Sequence, residues 1–251
     1  MDRIESPPRI TASCKDTRTE AEIEKGIVEG YYSEKLSGEK LLKCYQIASP
    51  RIRQYLEEEI QFALDQIDES DSVLELGCGY GRITSLLAEV AGSAVGIDTS
   101  GESLELGLRM RVPDRECHYC LMDALELGFE ESEFDKVFCL QNGICAFGVD
   151  RELLLREAMR VTKPGGKLYF SSYSEKFWKH RLQWFEAQAA EGLLGEIDYD
   201  RTGHGEIVCH DGFRTGTMTP DDFRLLCGKL HLKPIISEVD GSSVYCVIEA
   251  S

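Results

Sequence analysis

Apolar and polar positions change period along this chain, and the changes mark its elements. Residues 1–17 have no periodicity and contain Pro7 and Pro8, so they read as an arm. Helical spacing runs from Thr19 to Tyr32, with Thr19 as a cap and Glu22 three residues on. Ser33 to Lys40 is polar. A second helix is expected over Arg51–Ile67, where Ile52, Leu56, Ile60, Ala63, Leu64 and Ile67 share one face behind Pro50. Short apolar strands then alternate with helical stretches. The strands are Ser72–Leu76, Ala94–Ile97, Glu116–Leu121, Asp135–Leu140 and Lys167–Ser171. The helices between them are Arg82–Ala91, Gly101–Arg111 and Asp150–Val161, the last stopped by Lys163-Pro164-Gly165-Gly166. Such a series predicts a parallel sheet with helices on both faces. Two closing strands, Pro234–Val239 and Val244–Glu249, flank Asp240-Gly241-Ser242-Ser243 and read as a hairpin.

The most informative junction is Val73-Leu74-Glu75-Leu76-Gly77-Cys78-Gly79-Tyr80-Gly81-Arg82, a buried strand that turns on glycines into a helix. Glycines there admit positive φ and let a ligand approach the backbone. The Gly-x-Gly-x-Gly spacing departs from the dinucleotide fingerprint Gly-x-Gly-x-x-Gly. Glu75, two residues before the first glycine, is costly at a buried strand end without a partner.

These residues resemble motif I of class I S-adenosylmethionine (SAM)-dependent methyltransferases. The resemblance covers about Tyr31 to the C-terminus and is weakest over Ser174–Met218. It implies an α/β fold: a Rossmann-like seven-stranded, mostly parallel sheet with helices on both faces, a C-terminal antiparallel hairpin and N-terminal cover helices. The division expected is residues 1–68 for arm and cover, and 69–251 for the SAM-binding domain with a substrate-roof insertion at about 174–218.

The resemblance also assigns cofactor positions. Glu75 lies near the amino-acid end of SAM, and Gly77, Cys78 and Gly79 pack against its sugar and methionine portion. Asp98, ending the second strand, takes the ribose hydroxyls, for which a carboxylate has the bidentate geometry. Thr99 and Ser100 lie beside the adenosine, and Ser100 is also a candidate helix cap. Met122-Asp123-Ala124 ends strand three, with Asp123 on the adenine amino group and Met122 on the ring. Gln141 and Asn142 face the path of the methyl group. Arg82 pairs with Glu75 or with the cofactor carboxylate. Tyr31 and Tyr32 resemble a tyrosine pair that touches the cofactor or closes the site.

Methyl transfer from a sulfonium has a good neutral leaving group, so alignment and water exclusion carry much of the catalysis. A base matters for a poor nucleophile. His210 and His204, in the long segment Glu175–Thr217, are the candidate bases, with Tyr32 as a third catalytic candidate. That segment also holds Phe177, Trp178, Trp184 and Phe185, and an amphipathic helix followed by a strand pair would roof the pocket.

Composition narrows the partners. The chain of 251 residues carries a formal charge of −17, which opposes nucleic-acid binding; a small-molecule substrate is what the resemblance implies. No apolar run reaches membrane-helix length, and MDRIESPPRI has no signal-peptide pattern, so a cytoplasmic protein, monomer or homodimer, is expected. Ten cysteines in that compartment do not suggest a disulfide framework. Cys117-His-Tyr-Cys120 lies in a strand whose alternate residues face opposite ways, so no metal is expected there. Cys44, Cys145 and Cys209 invite comparison with arsenite methyltransferases, but Gly143 stands where that family has a cysteine after the strand-four asparagine. The other readings are a thiol methyltransferase, a SAM-binding protein without catalysis and a nicotinamide-dependent oxidoreductase.

Overall fold

The computed structural model describes residues 30–110 and 116–251. Among the described residues three helices come first: α1 (Tyr31–Glu34), α2 (Gly38–Gln46) and α3 (Pro50–Leu64). The βα series follows as β1 (Ser72–Leu76), α4 (Arg82–Val90), β2 (Ser93–Asp98), α5 (Gly101–Met110), β3 (Cys117–Leu121), β4 (Phe134–Cys139), α6 (Gly143–Ala146), α7 (Arg151–Val161) and β5 (Thr162–Tyr173). The segment after β5, called the insertion as expected from the sequence, supplies α8 (Trp178–Ala190), β6 (Ile207–Val208) and β7 (Arg214–Thr215). Then come α9 (Pro220–Lys229), β8 (Ile235–Val239) and β9 (Ser243–Glu249).

The main sheet has seven strands in the order β3-β2-β1-β4-β5-β9-β8. β1 pairs in parallel with β2 and β4, and β9 runs antiparallel to both neighbours. The expected sheet and hairpin are therefore present, with the hairpin's second strand placed inside the sheet. Alternation along the strands divides the core in two. Leu74, Leu76, Ile97, Val137 and Phe170 face one side, covered by Leu154, Leu155 and Ala158 of α7 and Phe223 and Leu226 of α9. Val73, Ala94, Tyr119, Phe138 and Tyr169 face the other, covered by Ile60 and Ala63 of α3, Ile83 and Leu87 of α4 and Leu104 of α5. Cys117 and Cys120 fall on opposite sides of the sheet, as period-two geometry requires, and cannot share a metal. Cys139 and Cys246 are buried core residues.

The N-terminal part differs from expectation. Tyr31 and Tyr32 open a helix instead of ending one, and the rest of the expected Thr19–Tyr32 helix lies outside the described residues. The polar run Ser33–Lys40 leads straight into α2, whose inward side holds Cys44. α3 begins as the sequence indicates: Ser49 Oγ accepts from Ile52 N at 3.4 Å, and Pro50 occupies the first turn. The helix α9 goes beyond the elements expected from periodicity. Its signal is Thr219-Pro-Asp-Asp222, where the side chains of Thr219 and Asp222 accept from each other's backbone N–H.

Two smaller clusters join the insertion to the N-terminal helices. Leu36 and Cys44 pack with Phe185, Ile207, Cys209 and Phe213. Ile52, Tyr55 and Leu56 pack with Tyr173, Phe177 and Trp184. The N-terminal helices and the segment after β5 thus pack on one another. In that segment α8 turns Arg181, Trp184, Phe185 and Gln188 inward at helical spacing. The buried Arg181 donates to the carbonyls of Gly205, Thr215 and Gly216, which ties the β6–β7 arm to α8.

Candidate active site

A pocket of about 190 Å³ opens at the carboxyl ends of the parallel strands, lined also by residues of both these segments. Open α/β sheets bind ligands in this position because the strand order reverses there. The glycine turn after β1 forms one wall. Gly77, Gly79 and Gly81 have φ of +72°, +56° and +75°, a region that side chains other than glycine rarely occupy. The turn is also crowded. A Cβ on Gly77 would stand 2.3 Å from the Phe147 ring, and one on Gly81 would stand 2.2 Å from Tyr119 Oη. Gly77 N and Cys78 N both donate to Ile97 O, which fixes the turn to β2.

Three acids reach this wall. Glu75 is buried and accepts from Thr84 Oγ1 at 2.5 Å; burial pushes its carboxyl up to about 7, with Thr84 and Arg82 pulling the other way. Asp98 accepts from Gly79 N at 2.7 Å and from Ser100 N at 2.8 Å. Burial raises its pKa, and these backbone bonds oppose the rise. Asp123 accepts from Leu125 N at 2.8 Å and lines the pocket beside Met122 and Ala124.

Arg82 is the cation of the site. Its guanidinium lies 4.5 Å from the centroid of the Tyr45 ring, and its Nη2 is buried without a hydrogen-bond partner. An unpaired buried donor of this kind suits an anionic ligand group. Glu75 offers the complementary charge nearby. Together they fit the two ends of an α-amino acid, and the acids at Asp98 and Asp123 fit a nucleoside.

Several sequence expectations change at this point. Tyr31, Tyr32, Glu75, Gly77, Cys78, Gly79, Arg82, Asp98, Thr99, Met122, Asp123, Ala124 and Gln141 all line the pocket. Ser100 is not among the lining residues; it is buried and caps α5 by accepting from Ser103 N. Asn142 is not a lining residue either. Its amide donates to Thr215 Oγ1 and Gly216 O and accepts from Ser172 Oγ, which uses the side chain as a clamp between sheet and insertion. His204 and His210 stand away from the pocket. His204 sits in a turn at φ +50°, and the exposed His210 faces Asp198 at 3.8 Å on the outside of the arm. They lie in exposed turns on either side of the buried run Ile207–Cys209. Tyr31 lines the pocket while its hydroxyl donates to Asp211.

Tyr45, Tyr173, Gln188, Leu41 and Phe147 also line the pocket, beyond the residues expected from sequence. Tyr45 comes with α2, a helix that periodicity did not mark. Trp184 and Phe185, expected as insertion aromatics, do reach the pocket, whereas Phe177 packs against Tyr55 and Tyr173 beneath it.

Comparison with known proteins bears on the βα series. Residues 74–170 match the family model of the methyltransferase domain. That stretch, running from β1 into β5, is similar to a methyltransferase domain. The fold of the chain is like that of the PH0226 protein from Pyrococcus horikoshii OT3, with a TM-score of 0.64 and 20% identity over 90% of this chain and 100% of that one. The chain is 26% identical to the 2-methyl-6-phytyl-1,4-hydroquinone methyltransferase of Synechocystis sp., over 76% of this chain and 59% of that protein. It is 30% identical to an arsenite methyltransferase of Aquipseudomonas alcaligenes, over 59% of this chain and 46% of that protein. The chain spans about half the length of the curated relatives it matches. Among the described residues, no helix is long and apolar enough to cross a membrane.

Proposed function

We propose that this chain transfers a methyl group from SAM to a small, planar, largely apolar acceptor. One observation carries the reading: Glu75, Asp98, Asp123 and the unpaired Arg82 Nη2 converge on a pocket roofed by Tyr32, Tyr45, Tyr173, Trp184 and Phe185. In this reading Arg82 holds the carboxylate of SAM, Glu75 its ammonium, Asp98 the ribose hydroxyls and Asp123 the adenine amino group. SAM supplies an electrophilic methyl group on a sulfonium that leaves as a neutral thioether. The aromatic roof aligns the acceptor with that methyl group and keeps water out. The flat, apolar side chains suit a ring-bearing acceptor.

The two curated relatives are named for a hydroquinone and an arsenite acceptor, and the thiols help to choose between them. Cys44 lines the pocket and Cys209 packs in the same roof cluster, but Cys145 belongs to the core on the far side of the sheet. Burial pushes the Cys44 thiol up to about 12 and that of Cys209 up to about 11, away from the thiolate a metalloid needs. The cysteines therefore favour an organic acceptor.

The test is incubation with tritiated SAM and a panel holding hydroquinones, phenols, amines, thiols and arsenite. Label on a ring-bearing organic acceptor supports the reading. Tight SAM binding with no transfer to any member would favour a SAM-binding protein without catalysis. A rise in melting temperature with NAD instead of SAM would favour an oxidoreductase.

A further inference from the structure

Beneath the pocket, on the α3 side, lies a buried polar network that cofactor binding leaves unused. Tyr55 and Glu59 stand four residues apart on the inner face of α3, and both are fully buried. Glu59 Oε1 accepts from Ser171 Oγ at 2.5 Å and from Gln141 N at 3.2 Å. Its Oε2 has no hydrogen-bond partner, and neither does the Tyr55 hydroxyl or Gln141 Nε2. Three unsatisfied buried polar atoms in one network are costly without a purpose.

The network reaches the pocket at two points. Tyr173 and Gln141 both line it. The Tyr55 ring packs 5.2 Å from the Tyr173 ring, centroid to centroid. Tyr55, Tyr173 and Glu59 are close enough to interact electrostatically, and the Tyr55 hydroxyl has no hydrogen-bond partner. Joined by hydrogen bonds, the three would form one chain from pocket to carboxylate.

We propose that the methyl acceptor reacts through a hydroxyl oxygen, and that Glu59 receives the displaced proton by way of Tyr173 and Tyr55. This rests on the methyltransferase reading above. As the acceptor oxygen bonds to the methyl carbon, the carbon–sulfur bond breaks and its electron pair returns to sulfur. The hydroxyl proton passes to Tyr173 Oη while Tyr173 gives its own to Tyr55 and Tyr55 gives its own to Glu59 Oε2. The products are a methyl ether, the neutral thioether and a protonated Glu59, which later loses its proton to solvent. Gln141 lines the pocket and has an unpaired Nε2 donor, which would orient the acceptor oxygen. A hydroxyl is a poor nucleophile, so proton removal assists it.

The surroundings of Glu59 suit a base at neutral pH. Burial raises its carboxyl to about 7, while the hydrogen bonds from Ser171 and Gln141 and the charge of Arg82 on α4 favour the ionised form. The other titratable groups facing it are Tyr45 on α2, Cys139 on β4, Tyr173 on β5 and Tyr245 on β9. Burial holds each of these four protonated, so Glu59 is the member of the network that changes charge near neutrality. Because its pKa is raised, Glu59 is ionised and ready above about pH 7 and loses its capacity to accept below it.

The full chain is tested with tritiated SAM and four probes: catechol, hydroquinone, benzylamine and thiophenol. The expected result is label on the hydroxyl of a phenol, with kcat falling below about pH 7. Glu59→Gln, which keeps an acceptor for Ser171 and Gln141, should lower kcat about 100-fold and abolish that acid limb. KM and SAM affinity should stay within twofold. Tyr55→Phe removes an unbonded hydroxyl, so stability should hold or rise while kcat falls about 100-fold. That combination separates proton transfer from packing and stands even if Glu59→Gln fails to fold. Transfer confined to the amine or the thiol overturns the inference, as does Tyr55→Phe with parental kcat. A chain that binds SAM and labels a phenol while both folded variants keep the acid limb overturns this inference alone. A parent chain that neither binds SAM nor labels any probe overturns it together with the methyltransferase reading.

Discussion

Asp98 Oδ2 accepts a hydrogen bond from Gly79 N at 2.7 Å, so the acid at the end of β2 holds the glycine turn that follows β1. Two neighbouring strands thereby fix one wall of the pocket. Asp98 has two tasks in the proposed complex, shaping the turn and meeting the ribose. Asp98→Ala should weaken SAM by about 1–3 kcal/mol, roughly 5- to 150-fold in Kd, as expected for lost charge-assisted bonds. Calorimetric titration of parent and variant measures this, and equal affinities would remove Asp98 from the ribose site.

Gly79 has φ +56°, and a Cβ added to it would stand 2.8 Å from Leu41 Cδ2, so a side chain there is strained and narrows the pocket. Leu41 is flexible enough to move, so Gly79→Val should fold. We expect it to lose SAM binding while circular dichroism keeps the parental spectrum. A folded variant with parental affinity would show that SAM does not approach this turn.

Glu75 and Glu59 both carry carboxyls raised from the ordinary value of 4.5 to about 7 by burial. A raised acid binds protons more tightly in the folded chain, so its stabilising contribution is full below about pH 4.5 and is lost as pH rises through 7. The melting temperature should therefore carry a falling component between those limits. Combining Glu75→Gln with Glu59→Gln should flatten that component in scanning calorimetry.

The same shift governs ligand binding. An ammonium at Glu75 favours the ionised carboxylate, so SAM affinity should climb as pH rises toward 7. It should decline again near pH 8, where an α-amino group loses its proton. Below pH 7 binding should release a proton, visible as a buffer-dependent enthalpy. Glu75→Gln should bind more weakly and without proton release; an unchanged release in that variant would assign the proton to another group.

Away from the pocket, Asp135 is held low, at about 2, because its carboxylate accepts from Lys163 Nζ at 2.7 Å, Ser72 N at 2.9 Å and Ser72 Oγ at 2.7 Å. These bonds join the amino-terminal ends of β1, β4 and β5. A lowered acid stabilises above its ordinary pKa of 3.8 and loses that contribution as pH falls toward 2. Asp135→Asn should cost about 1 kcal/mol at pH 7, since the ion pair is partly exposed and salt screens it. Urea unfolding at pH 7 and near pH 2 should show the difference at the first and not at the second.

The sequence by itself determined the sheet, the glycine turn and the acids along its rim. Those features depend on local periodicity, positive φ at Gly77, Gly79 and Gly81, and acids such as Glu75 and Asp98 placed at strand ends. Each is written within a few residues of chain, and a short window reads them. Tertiary structure alone decided which polar groups face the pocket. Asn142 has the chemistry of a ligand group and is consumed by Ser172, Thr215 and Gly216, from segments distant in sequence. His204 and His210 have the chemistry of bases and lie in exposed turns on either side of the buried run Ile207–Cys209. Tyr45 and Tyr173 enter the pocket, and Glu59 lies below it, through the packing of α2 and α3 against β5 and the insertion. The physical reason is the difference in range: backbone conformation and strand period are local, whereas the partner of a buried side chain is set by whatever the fold brings against it.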